Sequence, residues 1–295
     1  MKTPYISNII PFSAHDGPGL RTVVFVSGCP LDCRWCHNPE SRLYTPGVFY
    51  SPSLCIGCGL CAAVCQAGCH KCENGHIYDR KNCILCGKCA IICPSGALTA
   101  TAKSHTVEEI ISIIKRDKPF YGSEGGITIS GGEPLAFPEF TLSLLKAAKG
   151  EGINTCVETC GYAEKSVFEQ ISPYTDLILF DIKDTSPQRH REYTGKSNEK
   201  ILENLYYADS LGIKTILRCV MVKGVNMTDS HYEGIRDTYK SLKNCLGVSL
   251  LKCHSYGEGK RERLGLPNAY DTGWTPNSPD MDLSIAKLKD ILIQE

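Results

Sequence analysis

Short apolar runs alternate with amphipathic stretches along most of the chain. The apolar runs, read as strands, are Thr22 to Ser27, Gly126 to Ser130, Ile153 to Glu158, Asp176 to Asp181, Lys214 to Val222 and Val248 to His254. Helical spacing of apolar residues appears at Thr106 to Arg116, Pro138 to Lys149, Asn198 to Leu211 and Thr228 to Leu242, with a last stretch near Leu283 to Gln294. The pattern amounts to six β/α repeats. Continuous apolar strands separated by helices predict a parallel sheet covered on both faces and joined by right-handed crossovers. Six units are too few to close an eight-fold barrel, so the expected fold is α/β: a curved, partly open (β/α)6 barrel. In such folds ligands sit at the C-terminal ends of the strands.

The repeats are interrupted after the first strand by cysteine-rich sequence. At 295 residues and 42% apolar composition, with no apolar run near the length of a membrane span, the chain reads as a soluble globular protein of one large or two smaller domains. Lys plus Arg equals Asp plus Glu at 32 each, so no global field argues for nucleic acid or an anionic membrane. The start, "MKTPYISNIIPFS", lacks the basic and long apolar regions of a secretory signal, and the expected location is cytoplasmic. In that reducing compartment 18 cysteines point to metal or redox chemistry rather than disulfides.

Between Cys55 and Cys93 two runs of C-x2-C-x2-C-x3-C follow one another, "CIGCGLCAAVC" and "CILCGKCAIICP". This is the bacterial two-cluster ferredoxin pattern, in which the fourth Cys of each run serves the other run's cluster. One [4Fe-4S] cluster is therefore assigned to Cys55, Cys58, Cys61 and Cys93, and a second to Cys83, Cys86, Cys89 and Cys65. Pro94 follows Cys93 as the pattern expects. Gln66 follows Cys65 where Pro is usual, and Cys69 and Cys72 are spare thiols nearby, so Cys69 stands as the alternative to Cys65. Structural zinc sites also favour C-x2-C, but they close with four ligands and do not call for a third Cys in each run. The reading divides the chain into a core of residues 1–47 and 103–295 and a ferredoxin-like insertion of residues 48–102.

A third run, "GCPLDCRWC", carries Cys29, Cys33 and Cys36 at C-x3-C-x2-C directly after the first strand. Three thiolates with no fourth leave one iron of a [4Fe-4S] cluster open, the mark of a site that binds substrate. Polar residues gather at the other strand ends: Gly131, Gly132 and Glu133 in "SGGEPL", Glu158 and Thr159, Asp181 and Lys183, Arg218 within the fifth strand, and His254. Singly, "GGEP" reads as an ordinary turn and Asp181 with Lys183 as a strand-end ion pair. On one rim they converge with the three cysteines.

The C-x3-C-x2-C run, with Trp35 before its last Cys, resembles the signature of the radical S-adenosylmethionine (SAM) superfamily. Across nearly the whole chain, the stretches "DGPGLRTVVFVSGCPLDCRWCHNPES", "ITISGGEPL", "VETCGYA", "LILFDIKD", "TGKSNEKILENL", "ILRCVMVKGVN" and "LLKCHSYGEGKRERLG", with the two ferredoxin runs, resemble glycyl radical enzyme activating enzymes of the pyruvate formate-lyase activase type. The resemblance implies that the cluster on Cys29, Cys33 and Cys36 chelates SAM and reduces its sulfonium. The resulting 5′-deoxyadenosyl radical then takes a hydrogen from a glycine Cα of a partner enzyme. It implies that Gly131, Gly132 and Glu133 hold the SAM amino group, that Lys183 lies near its carboxylate, and that Arg218 and His254 line the rest of the pocket. A monovalent cation is implied at Glu158, Thr159 and Asp181, and a contact of Asp16 with the incoming glycyl loop. Three [4Fe-4S] clusters, SAM and the cation are the expected cofactors. A glycyl radical enzyme and a flavodoxin or ferredoxin donor are the expected partners. "LLKCH" and Ala136-Phe137 depart from the usual Leu-Leu-Pro-Tyr-His and Leu-Gln, and both departures bear on detail of the expected pocket wall.

Two other classes share features of this chain. A two-cluster electron carrier would leave the barrel unused, and a radical SAM enzyme acting on a small molecule or peptide would need no large partner. The insertion reads either as an electron relay or as a docking platform. Cys156, Cys160, Cys219, Cys245 and Cys253 read as small buried apolar residues, and His15, His37 and His105 as surface residues.

Overall fold

The computed structural model describes residues 3–73 and 75–293. The chain opens with β1 (Tyr5–Ser13), which runs antiparallel to β2 (Arg21–Ser27). Between β2 and the next strand of the main sheet lies a small unit: β3 (Val48–Tyr50), α1 (Leu60–Val64), β4 (His70–Lys71), β5 (Ile77–Tyr78), α2 (Lys88–Ile92) and β6 (Leu98–Ala100). β3 and β6 pair with each other and bring the two ends of this unit together, while β4 pairs with β5.

The rest of the chain alternates helix and strand: α3 (Val107–Asp117), β7 (Gly126–Gly131), α4 (Pro138–Gly150), β8 (Asn154–Thr159), α5 (Lys165–Ile171), β9 (Leu177–Ile182), α6 (Pro187–Thr194), α7 (Glu199–Ser210), β10 (Thr215–Met221), α8 (Asp229–Ser241), β11 (Cys245–Lys252), α9 (Tyr256–Leu264) and α10 (Ser278–Leu288). The sheet order is β1-β2-β7-β8-β9-β10-β11, with every pair after β1-β2 parallel. Six parallel strands thus form the sheet expected from the apolar runs. The seventh strand, β1, is an addition: its residues are mostly half-buried or exposed, so it lacks the continuous apolar character that marks the others.

Local chemistry explains the element ends. α3 starts at a capping box, with the Glu109 N–H donating to the Thr106 hydroxyl at 3.2 Å and the Thr106 N–H donating to the Glu109 carboxylate at 3.0 Å. It buries Ile110 and Ile114 against the sheet. The last helix is α10, ending at Leu288 rather than continuing toward Gln294, which lies outside the described residues. No helix among the described residues is long and apolar enough to cross a membrane.

The two sheet faces differ. Val24, Val26, Ile127, Ile129, Val157, Ile178, Phe180, Leu217 and Met221 point to the helices and form the main core with Leu144, Leu145, Phe168 and Leu205. Alternate residues point inward, where Cys156, Leu177, Leu179 and Ile216 make a small apolar floor. One pleat further along the same strands come Glu158, Asp181 and Arg218. Period-two alternation therefore carries the inner face from an apolar floor to a charged layer at the C-terminal ends.

Candidate active site

A large cavity opens at those C-terminal ends, lined by Cys29, Cys33 and Cys36, by Gly131 and Gly132, by Glu158, Asp181, Lys183, Arg218 and His254, and by Asp16. Residues from every parallel strand or the loop that follows it thus reach one space. The cysteine loop is held there by backbone bonds: Asp32 N–H donates to Thr194 O at 2.8 Å, Arg34 N–H to Tyr193 O at 2.9 Å and Gly28 N–H to Ser41 O at 2.7 Å. Trp35, buried, stacks on Tyr193 and meets Trp274 edge-on. The glycine pair after β7 permits a close approach. A Cβ on Gly132 would lie 2.3 Å from Ser41 O and 2.4 Å from Gly28 O, so only glycine lets this loop lie against the cysteine loop.

Electrostatics divides the charged layer into two pairs. Lys183 Nζ lies 2.9 Å from Asp181 Oδ2. Burial alone would push the Lys183 ammonium down, but Asp181, with Cys33 and Glu158, outweighs it and holds the lysine charged. Asp181 is raised by burial despite Lys183. Arg218 Nη1 lies 3.0 Å from Glu158 Oε1, and the other Glu158 oxygen accepts from the Ser130 hydroxyl at 2.5 Å. Asp16, at 3.8 Å from the same Arg218 nitrogen, is raised by burial and by Glu158. Cationic Lys183 and Arg218 thus face the cavity, each steadied by a carboxylate beneath.

The three thiols fit a metal cluster. Burial pushes Cys36 up to about 11 and Cys33 higher still. Such thiols ionise only when a cation compensates, which is what metal coordination supplies. In the inserted unit Cys55, Cys58, Cys61 and Cys93 line one small cavity, together with Cys72 and His76. A second cavity is lined by Cys83, Cys86 and Cys89 with both Cys65 and Cys69. The first cavity therefore draws on both runs, as does the second. The ligand atoms of Cys61, Cys72 and His76 lie within 4.8 Å of one another, and His76 also stands 3.5 Å from the Cys55 sulfur.

Two expected pocket residues are elsewhere. Glu133 is fully buried and does not line the cavity: its carboxylate accepts from Leu135 N–H at 2.9 Å, the Thr159 hydroxyl at 2.6 Å and Cys160 N–H at 2.8 Å. Thr159, whose hydroxyl is spent on that bond, does not line it either. The glutamate is a strut between two loops because three donors within reach outcompete an excursion into the cavity.

Other residues were not expected. Lys260 on α9 donates to Asn38 Oδ1 and Glu40 Oε1, both at 2.7 Å, tying that helix to the cysteine loop. His37, read as a surface residue, is exposed but stacks edge-on against His254 at 4.4 Å and lines the cavity. Cys160, read as plain packing, also lines the cavity. The Cys29 thiol beside it, burial and the Glu133 carboxylate push the Cys160 thiol well up. Its position directly after β8 was the available signal. Cys156, Cys219 and Cys253 are buried and Cys245 is half-buried.

Comparison with known proteins agrees with this geometry. Residues 61–233 match the family model described as the radical SAM superfamily, and residues 15–57, which contain the three-cysteine loop, match a 4Fe-4S single cluster domain. The chain is 40% identical to the choline trimethylamine-lyase activating enzyme of Oleidesulfovibrio alaskensis, covering 94% of this chain and 92% of that protein. It is 39% identical to the trans-4-hydroxy-L-proline dehydratase activating enzyme of Clostridioides difficile, covering 88% of each. It is 38% identical to the benzylsuccinate synthase activating enzyme of Thauera aromatica, covering 95% of this chain and 87% of that protein. A radical SAM methyltransferase from Sphaerobacter thermophilus shares the fold, with a TM-score of 0.51 at 13% identity over 92% of this chain and 64% of that one. The chain belongs to the radical SAM superfamily and, within it, to the activating enzymes of glycyl radical enzymes, which use SAM and [4Fe-4S] chemistry.

Proposed function

We propose that Cys29, Cys33 and Cys36 hold the SAM cluster of this activating enzyme, and that the cavity at the strand ends receives SAM on one side and a glycine loop of the partner on the other. The observation that carries this is the convergence of the three thiols with the Asp181–Lys183 and Glu158–Arg218 pairs around one cavity. When bound and reduced, the cluster supplies one electron to the SAM sulfonium, releasing methionine and a 5′-deoxyadenosyl radical that takes a glycine Cα hydrogen.

The chain's own residues bind and orient. Lys183, held charged by Asp181, receives the SAM carboxylate. Gly131 and Gly132 offer the backbone to its amino group, and Arg218 and His254 line the remainder. Glu158 and Asp181 are the carboxylates available to a monovalent cation, while Glu133 and Thr159 act beneath the pocket as supports. Asp16, at the same cavity, faces the incoming glycine loop. A glycine suits that role because its Cα has no side chain to bar approach and its radical delocalises over the flanking amides.

Residues 48–102 form the ferredoxin-like insertion between core segments 1–47 and 103–295. Two further [4Fe-4S] clusters make three in all: one on Cys55, Cys58, Cys61 and Cys93, and one on Cys83, Cys86 and Cys89 with Cys65 or Cys69. A flavodoxin or ferredoxin is the electron donor. The test is anaerobic reconstitution with iron and sulfide, followed by dithionite and SAM. Wild type yields 5′-deoxyadenosine and, with its partner, a glycyl radical seen by electron paramagnetic resonance; Cys36→Ala yields neither. A fully iron-loaded wild type that makes no deoxyadenosine would overturn the reading.

A further inference from the structure

The hairpin of β4 and β5 lies between the two cysteine runs and carries side chains that the expected cluster ligands do not include. Strand pairing sets His70 opposite Tyr78, and their rings stack at 4.4 Å with 21° between the planes. The Arg80 guanidinium lies over the same tyrosine ring, 4.3 Å from its centre, and is itself held by Val48 O and Arg263 O, both at 2.6 Å. A ring fixed in this way fixes its hydroxyl. The Tyr78 hydroxyl lies 3.1 Å from the Cys83 sulfur.

The surroundings of that sulfur decide what the contact is. Cys83 lines the second cavity of the insertion and Tyr78 does not, so the hydroxyl meets the sulfur from outside the space the thiols surround. The same sulfur accepts the Leu85 N–H at 3.4 Å. Leu85 has φ +55°, the left-handed conformation that Gly57 takes at φ +68° in the same place of the first run. A leucine is strained there, and strain of this kind is kept where a site needs the backbone shape. Two donors around one sulfur describe an acceptor. A free thiol could give its hydrogen to the phenol, but a sulfur bound to iron carries none, which leaves the phenol as donor. Plain packing does not call for a hydroxyl, since Phe would stack on His70 and under Arg80 equally well.

We propose that Tyr78 is a positioning residue acting through Cys83: its O–H donates to the Cys83 sulfur and makes the cluster held by Cys83, Cys86 and Cys89 easier to reduce. Reduction adds one electron to the cluster and its thiolates while the proton stays on the tyrosine oxygen. A hydrogen bond to a ligand sulfur strengthens with that added negative charge, and such bonds are among the determinants of iron–sulfur potentials. The proposal rests on the reading of Cys83 as a cluster ligand.

The test is a redox titration with dithionite of the anaerobically reconstituted full chain, followed by paramagnetic resonance. The signal that changes when SAM is added marks the SAM cluster, and the signals that do not change belong to the insertion. Wild type is compared with Tyr78→Phe, which loses only the hydroxyl, and with Tyr78→Leu, which loses the ring as well. The expected result at equal iron content is that one insertion cluster becomes about tenfold harder to reduce in both variants, which is 59 mV for one electron, while the SAM-responsive midpoint stays in place. Wild-type midpoints in Tyr78→Phe would overturn the proposal, and a shift in Tyr78→Leu alone would reduce the residue to packing. Loss of the cluster from Tyr78→Phe, or a shift of the SAM-responsive midpoint instead, would overturn it too. Cys83→Ala separates this failure from that of the reading beneath it: the variant should lose one insertion signal, and if it keeps both, Cys83 is not a ligand and the proposal falls with that reading.

Discussion

The guanidinium of Arg21 donates to the Thr128 hydroxyl at 2.8 Å, and that hydroxyl donates in turn to the Asp16 carbonyl at 2.6 Å. Arg21 is fully buried, and its other nitrogens reach Pro18 O and Glu124 O at 3.0 Å, Ile127 O at 2.8 Å and Asn154 Oδ1 at 2.9 Å. Among the described residues no carboxylate forms an ion pair with it. A buried charge satisfied by carbonyls from several segments acts as a clamp, and here it fixes the loop that carries Asp16 at the cavity. Arg21→Lys keeps the charge but loses the planar fork. Losing two or more charged hydrogen bonds costs at least about 3 kcal/mol, and the melting temperature should fall accordingly. Glycyl radical formation in the partner should fall further than uncoupled deoxyadenosine formation, because Asp16 is displaced while the SAM side is intact. Equal losses in both would show that Asp16 takes no part in receiving the glycine loop.

Gly132 tests the seam between the cysteine loop and the loop that follows β7. Because the atoms a Cβ would meet are backbone carbonyls of Ser41 and Gly28, neither can swing aside as a side chain could. Gly132→Ala should therefore loosen the cysteine loop. The expected outcome is a protein that retains the iron of the insertion and loses the SAM-responsive paramagnetic signal. A Gly132→Ala variant with full iron content and normal SAM cleavage would contradict this.

Glu133 separates a strut from a contact. If it touched SAM, Glu133→Ala would chiefly raise KM for SAM at unchanged stability. As a strut it leaves the Thr159 hydroxyl and two backbone N–H groups without an acceptor, and each buried orphan costs about 1–3 kcal/mol. Unfolding should then occur several degrees lower. Glu133→Gln should also lose stability, since its amide nitrogen cannot accept. Calorimetry on both variants decides it.

The β/α rhythm was legible because strands covered on both sides are written as apolar runs, and the runs give all six parallel strands. β1 was not, since an edge strand with one face toward the cavity mixes Ser, Asn and Pro with Ile. α9 escaped for a related reason: "YGEGKRERL" holds two glycines and little apolar spacing, yet Gly257 is there because a Cβ would lie 2.3 Å from Cys36 O. The cavity wall was legible from strand ends, since charge at the last inward pleat of a parallel strand has little other use. What the sequence could not tell is which way a strand-end residue turns. Glu158 and Thr159 are adjacent, so alternation sends one inward and the other away from the cavity, and Glu133 turns toward whichever donors the neighbouring loop presents.

His231 gives the fold a pH dependence separate from the clusters. The ring is fully buried on α8, and its Nδ1 accepts the Thr185 N–H at 3.2 Å and lies 2.9 Å from the Thr185 hydroxyl. Burial, helped by Arg189 and opposed by Asp184, pushes it down to about 4 from the ordinary 6.5. Between those values the unfolded chain binds more protons than the folded one, so stability is complete above about pH 6.5 and falls as pH drops toward 4. From pH 7.5 to 5.5 the loss assignable to this one group is about 1 kcal/mol. His231→Gln keeps an oxygen that can accept from Thr185 and removes the titration. Its melting temperature should therefore fall about 2 °C less than that of wild type over the same interval, measured anaerobically at fixed iron content. The slope contributed by His37 and His190, also lowered chiefly by burial, remains in both proteins and cancels in the difference. Parallel pH profiles for wild type and His231→Gln would show that the ring takes up its proton in place, stabilised by Asp184 at 3.9 Å, without loosening the fold.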